Sequence, residues 1–331
     1  MRDRLLYLAI LAAAAAVAAI LVFPRAHRLP EPSPTETEVA LDAAAPTPAV
    51  ASAPPELPAR DAGPARPPPH VHVDPAGAAA CGEGMVLVDG VYCPFVGHTC
   101  VSFTDEPHDV CDRYAPEVLC EGHLEHRRYC VDVFEYPNLE GVVPAVMVDF
   151  DDAARACAVE GKRLCTSEEW EFACEGTEMW PHPYGIDRDA TACNIDRPAT
   201  KPDLPAFSDP WRISSEVERL DRRAPSGAFP RCISPFGVRD MTGNVEEWVE
   251  NSNGKETEKP FRSSLKGSSW GKARARCRPT TSTHSAGYSS YQVGFRCCSD
   301  TKSGGVVSRD PGAAKIPRRQ RMAVPPGQRT P

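Results

Sequence analysis

The chain has 331 residues and a mass of 35.9 kDa, with 37 Lys and Arg against 45 Asp and Glu, a formal charge of −8. The charge is uneven: residues 81–300 carry 24 basic and 36 acidic side chains, whereas 301–331 carry 7 and 1. An acidic middle excludes a nucleic-acid-binding face, which needs basic side chains to displace counterions from phosphates.

The N-terminus reads Met1-Arg2-Asp3-Arg4, followed over residues 5–23 by nineteen uncharged, mostly apolar positions. As a helix this run is about 28 Å long, close to one bilayer core. It is longer than a signal peptide needs, and Pro24-Arg25-Ala26-His27 makes a poor cleavage site. Residues 1–23 therefore read as an uncleaved signal-anchor helix, with a cleaved signal as the alternative. Arg2 and Arg4 are balanced by Arg25 and Arg28, so flanking charge does not set the orientation.

Residues 24–80 contain fourteen prolines among Ala, Thr and scattered acids. Such a segment cannot bury enough apolar surface to offset chain entropy, and it reads as a disordered stalk that adds reach. All 14 cysteines lie between Cys81 and Cys298, none of them in a Cys-x-x-Cys pair. This spacing argues against zinc ribbons, thioredoxin motifs and c-type haem, and for a disulfide framework formed in an oxidising compartment. The folded domain, taken as 81–300, is accordingly expected outside the cytoplasm, in a periplasm or at a cell surface.

Within that domain the β-branched run around Val86, Val88 and Val91 predicts a first strand. Cys100, Cys111, Cys120 and Cys130 follow without clear periodicity and suggest disulfide-stapled loops. Asp149 to Asp152 offer acidic caps to a helix with a small-residue face at Ala153, Ala154, Cys157 and Ala158, stopped near Gly161. Thr166 and Glu169 form a capping box that opens a second helix through Trp170 and Phe172 to Cys174. Periodicity is weak beyond residue 175. Few regular elements and many staples predict a single irregular α+β domain. The last segment, 301–331, with Arg318, Arg319 and Arg321, reads as a disordered basic tail.

A set of short motifs then occurs in a telling order. Gly161-Lys162-Arg163-Leu164 is followed by 166–170, Tyr184-Gly185, Asn194-Ile195, Phe236-Gly237, Gly243-Asn244-Val245-Glu246-Glu247-Trp248, Gly267-Ser268-Ser269-Trp270 and Gly294-Phe295-Arg296-Cys297. Together they resemble the sulfatase-modifying-factor family, which includes the formylglycine-generating enzymes. The resemblance implies a compact, disulfide-rich domain related to the C-type-lectin-like fold. It also implies that Cys157 pairs with Cys297 and Cys174 with Cys277.

The family's enzymes oxidise a target cysteine with oxygen and a copper ion held by two cysteines, which fall between the Gly-rich strand and an Arg-x-Arg-Cys motif. Here only Gly271, Lys272 and Ala273 separate Trp270 from Arg274-Ala275-Arg276-Cys277, so the thiol pair is missing and copper is not expected. The resemblance further implies calcium at Asn244, Val245 and Glu247, against the plainer reading of a turn. A second calcium position begins at Asn194 and Ile195, for which Asp196, Asp203 and Asp209 are the available acids. His123, Glu125 and His126 raise iron, but they fall in a cysteine-rich stretch with no helical domain beside them, and iron is not expected. Ser269, Trp270, Tyr288 and Tyr291 are candidates to line a ligand groove, with core packing as the alternative.

Three functions remain open on these grounds. The first is a membrane-tethered pseudoenzyme binding a peptide or other envelope ligand. The second is an oxidative modifying enzyme with a substituted site, and the third a structural knob on a stalk.

Overall fold

The computed structural model describes residues 80–104, 110–272 and 274–302, together with the backbone of 320–322. The expected anchor, the stalk up to residue 79 and the rest of the tail lie outside the described residues. Among the described residues no helix is long and apolar enough to cross a membrane.

Chain order runs β1 (Met85–Tyr92), β2 (Phe95–Phe103), β3 (Cys111–Glu121), β4 (Glu125–Asp132), α1 (Phe150–Val159), β5 (Arg163–Leu164) and α2 (Ser167–Glu175). A 3-10 turn (Leu204–Ser208), α3 (Ile213–Leu220), β6 (Glu246–Glu250), β7 (Ser263–Lys266), β8 (Val293–Phe295), β9 (Cys297–Ser299) and β10 (Gln320–Met322) follow. The strands form three small sheets, ordered β1-β4-β9-β5, β10-β3-β2 and β7-β6-β8. In the third, β6 runs parallel to β8 and antiparallel to β7.

Both helices expected from their caps are present. The Asp149 carboxylate accepts from the Asp152 amide at 2.7 Å and opens α1, and Gly161 takes φ +70° just past its end. Phe150, Ala153 and Cys157, spaced along one face, pack on Trp248, Leu265 and Phe295 of the third sheet. In α2 the Glu169 amide donates to Thr166 Oγ1 and the Thr166 amide donates back to Glu169 Oε2 at 2.9 Å. That box sets the helix so that Trp170, Phe172 and Cys174 are fully buried against Val88, Tyr129, Val131 and Met241. The main core therefore lies between α2 and the first sheet.

Two local expectations are corrected. The stretch from Cys93 to Cys130 is a set of strands, not stapled loops. Register shifts between β2 and β3 accompany an irregular burial pattern in β3, and β2 alternates in exposure but places Phe95, Val101 and Phe103 on its exposed side, so neither strand shows an apolar–polar alternation in the sequence. The helix α3 was not expected; its inward position Glu216 is a charged residue paired with Arg219, which hides the amphipathic pattern. In the tail, Gln320–Met322 add an edge strand to β3.

Seven disulfides account for all 14 cysteines. Cys157–Cys297 and Cys174–Cys277 are formed as the resemblance implied, with sequence separations of 140 and 103. Cys298 turns to the opposite side from Cys297 and joins Cys165, as alternate strand positions require. The remaining four bridges hold the β1 to β4 region and the 193–232 loop.

Loop-closure entropy grows with the enclosed loop, to about 4.7 kcal/mol for a hundred residues and about 3 kcal/mol for a dozen. Replacing Cys174 and Cys277 together by Ser is therefore expected to destabilise the protein by roughly 1–2 kcal/mol more than replacing Cys100 and Cys111, whose separation is 11. Chemical denaturation of the two double variants measures the difference, and equal losses would remove the entropic account.

Candidate functional site

The segment that would carry the chemistry starts where β7 ends. Gly267 has φ +81°, and a Cβ there would lie 2.9 Å from the Met241 carbonyl oxygen and 3.0 Å from the Trp170 ring, so only glycine fits. The chain then passes Ser269 and Trp270, whose carbonyl accepts from the Arg197 amide at 2.8 Å. Trp270 is 4% exposed. Gln292 Nε2 donates to Ser269 Oγ at 2.8 Å, Tyr291 lies 6.0 Å from Trp270 between ring centres, and Phe207 stacks on Tyr291 at 5.8 Å. Ser269, Trp270 and Tyr291 are thus brought to one corner. Tyr288 faces elsewhere, stacking on His284 and meeting the edge of Trp248 in the α1 core.

No thiol reaches this corner. The segment from Gly271 to Arg276 contains no cysteine, and Cys277 is bridged to Cys174 at the end of α2. Among the described residues no cysteine is free, so none is available as a thiolate ligand.

The Asn244 and Glu247 side chains are committed to protein partners. Asn244, in the left-handed region at φ +58°, accepts on Oδ1 from Asn194 Nδ2 and from the Ala224 amide, and donates from Nδ2 to Glu135 Oε2 at 2.8 Å. The preceding Gly243 is required for this turn, because a Cβ would sit 2.4 Å from the Asn194 carbonyl oxygen. Both oxygens of Glu247 accept from the Arg296 guanidinium at 2.7 Å, and Oε2 also accepts from Trp170 Nε1. The donor set does not fit a calcium ion in this arrangement. An ion would have to displace Arg296 from Glu247 and two donors from Asn244, and a guanidinium already supplies the positive charge.

The second expected position meets the same obstacle. Asn194 Oδ1 accepts from Arg197 Nε at 2.8 Å, and Ile195 is buried in a cluster with Cys193, Cys232 and Ala275. Asp196 is held bidentately by Arg188, Asp203 pairs with Arg212, and Asp209 accepts from the Trp211 amide. His126 pairs with Asp89 and Glu125 with Arg127 on β4. Among the described residues no three His, Cys, Asp or Glu side chains are placed to hold a metal ion.

Two constellations escaped the sequence reading. One is the Arg296–Glu247 pair: the Gly-Phe-Arg motif is visible in the sequence, but nothing local to it says that the guanidinium points inward. The other is a pocket between β2, β3 and the 274–276 segment, assembled from residues far apart in the chain. Only the Arg-x-Arg repeat at Arg274 and Arg276 hinted at it.

Residues 123–301, more than half of the chain, match the sulfatase-modifying factor enzyme 1-like domain family. Inactive C-alpha-formylglycine-generating enzyme 2 of Bos taurus is 33% identical over 164 residues, 47% of this chain and 50% of that protein. Formylglycine-generating enzyme of Mus musculus is 29% identical over 110 residues, 33% of this chain and 27% of that protein. The chain thus spans half or less of the length of these relatives. Among solved structures, PvdO from Pseudomonas aeruginosa aligns with a TM-score of 0.42 at 18% identity, over 65% of this chain and 94% of that one.

The commitment of Asn244 and Glu247 to Asn194, Ala224 and Arg296 predicts that millimolar calcium leaves the melting temperature of the full chain unchanged relative to EDTA. A calcium-dependent rise abolished by Glu247→Ala would show that the guanidinium yields to the ion.

Proposed function

We propose that this chain, which belongs to the sulfatase-modifying factor enzyme 1-like family, is a tethered extracytoplasmic binding module that does not generate formylglycine. In this reading residues 1–23 anchor it, 24–80 hold it off the membrane, and the corner at Ser269, Trp270 and Tyr291 receives a peptide or another envelope ligand.

One observation carries the loss of chemistry. A copper ion that activates oxygen beside a substrate thiol needs two soft thiolate ligands of its own. Every cysteine among the described residues is in a disulfide, and the short connection from Trp270 to Cys277 has none to offer. A sulfur in a disulfide has no thiolate lone pair to give until the bond is reduced. The relatives named inactive formylglycine-generating enzymes, matched across about half of their length, support the same reading.

The binding role rests on what the corner keeps. Tyr291 presents a partly exposed aromatic ring near Trp270 and Phe207, and the Ser269–Gln292 pair places hydroxyl and amide groups beside it. Aromatic surface with a few fixed polar groups suits an extended peptide. The seven disulfides agree with a domain that matures in an oxidising compartment.

Incubation of the full chain with copper, a reductant and a cysteine-containing sulfatase-type peptide should leave the peptide mass unchanged. Appearance of the aldehyde product by mass spectrometry would contradict the proposal.

A further inference from the structure

The pocket beside the 274–276 segment has a volume of about 190 Å³ and is lined by Arg188, Arg274, Arg276, Tyr114 and His98, with the Cys100–Cys111 disulfide on one wall. Three guanidinium groups around one small space are unexpected in a region with an excess of twelve acids. One charge is compensated, since Arg188 holds Asp196 through Nε and Nη2 at 2.9 and 2.7 Å. Among the described residues neither Arg274 nor Arg276 forms an ion pair with a carboxylate: Arg276 lies over the Tyr114 ring at 5.5 Å, and Arg274 is solvent-exposed. Among the described residues no carboxylate lines the pocket, although Glu246 is near enough to Arg274 to feel its charge.

The neighbouring imidazoles add no counter-charge. His98 Nε2 lies 2.7 Å from the Met179 carbonyl oxygen, and His182 Nδ1 lies 3.0 Å from that of Ala275, so each of these nitrogens carries its proton and donates. Burial, with the Arg276 and Arg278 charges adding to it, holds His98 down to about 4. Burial together with the Arg188 charge holds His182 down to about 3. Both rings are neutral at physiological pH and are wedged edge-on against Tyr114.

The frame is rigid. Arg276 is flanked by buried Ala275 and by Cys277, which is bridged to α2, Tyr114 stands on β3, and Arg188 is pinned by Asp196. Guanidinium groups held in place are suited to oxyanions, whose oxygens accept paired N–H bonds, and pre-organisation lowers the entropy cost of capture. A space of this size is too small for a peptide or a nucleotide, but it accommodates one tetrahedral group. From this arrangement we infer that the pocket binds a tetrahedral oxyanion, sulfate or phosphate, free or as the end of a monoester. None of Ser269, Trp270 and Tyr291 lines it, so it is a site apart from the proposed ligand corner.

The test is titration calorimetry of the full chain with sodium sulfate and sodium phosphate at constant ionic strength, against sodium chloride. Saturable binding of either oxyanion, weakened at least tenfold by Arg274→Gln and unaffected by the remote surface change Arg155→Gln, is the expected result. Arg274 is exposed, so its variant is expected to fold; Arg276→Gln repeats the test from inside the pocket. Phenyl phosphate and phenyl sulfate separate the sources: binding comparable to the free ions means that the pocket accepts an ester, and binding of the free ions alone means that it is closed around the ion. A response no different from chloride, or oxyanion binding untouched by both arginine variants, would overturn the inference.

Discussion

The fold turns on one buried ion pair. Arg296 sits between β8 and β9, where the chain leaves the third sheet and enters the first, and it is fully buried. Its five N–H donors find five acceptors: both oxygens of Glu247 on β6, and the carbonyls of Asp132, Val133 and Arg239. Glu247 in turn accepts from the indole of Trp170 on α2. A single side chain thus ties two sheets, a helix and the 239 loop. The cost of removing a charge from water is recovered only because every donor is used.

That pair also governs its acidic neighbours. Glu135 and Asp240 are buried close to it, facing one guanidinium that Glu247 already occupies. Burial, reinforced by the charges of Asp240 and Glu247, pushes Glu135 well above the usual carboxylate range, and burial lifts Asp240 to about 6. Glu135 spends its oxygens on the Asn244 amide group and the Val245 amide, which fixes the turn at Gly243. The residues expected to hold calcium are therefore the periphery of an arginine-centred network, and their oxygens serve the fold. A second network, in which Arg278 joins Glu175, Glu171 and the backbone at Cys93 and Pro94, pins the end of α2 to the start of β2 in the same manner.

What the sequence made legible follows from the range of each interaction. The caps of α1 and α2 are written within four residues, at Asp149 and Asp152 and at Thr166 and Glu169, and both helices begin where those residues place them. The first strand was equally local. The bridges Cys157–Cys297 and Cys174–Cys277 came through family resemblance, since spacing alone leaves many pairings for 14 cysteines. Strand β2 was missed because apolar residues sit on its exposed positions, β3 because its burial is irregular, β4 because it passes from exposed to buried along its length instead of alternating, and α3 because Glu216 turns inward. Glu247 was singled out for calcium, and its guanidinium partner 49 positions away is one that no local pattern encodes. The oxyanion pocket draws on residues from His98 to Arg276 and exists only once β2, β3 and the Cys174–Cys277 bridge are in place.

The scaffold holds together through contacts remote from the 271–273 segment. Its bridges and buried arginines lie outside residues 271–273. The direct test is a double-mutant cycle on Arg296→Met and Glu247→Gln, followed by chemical denaturation. Arg296→Met alone is expected to cost about 3–5 kcal/mol, because it strands a buried carboxylate. Adding Glu247→Gln should cost nothing further or restore part of the loss, a coupling of more than about 1.5 kcal/mol. Losses that simply add, or an Arg296→Met variant as stable as the parent, would contradict the central place given to this pair.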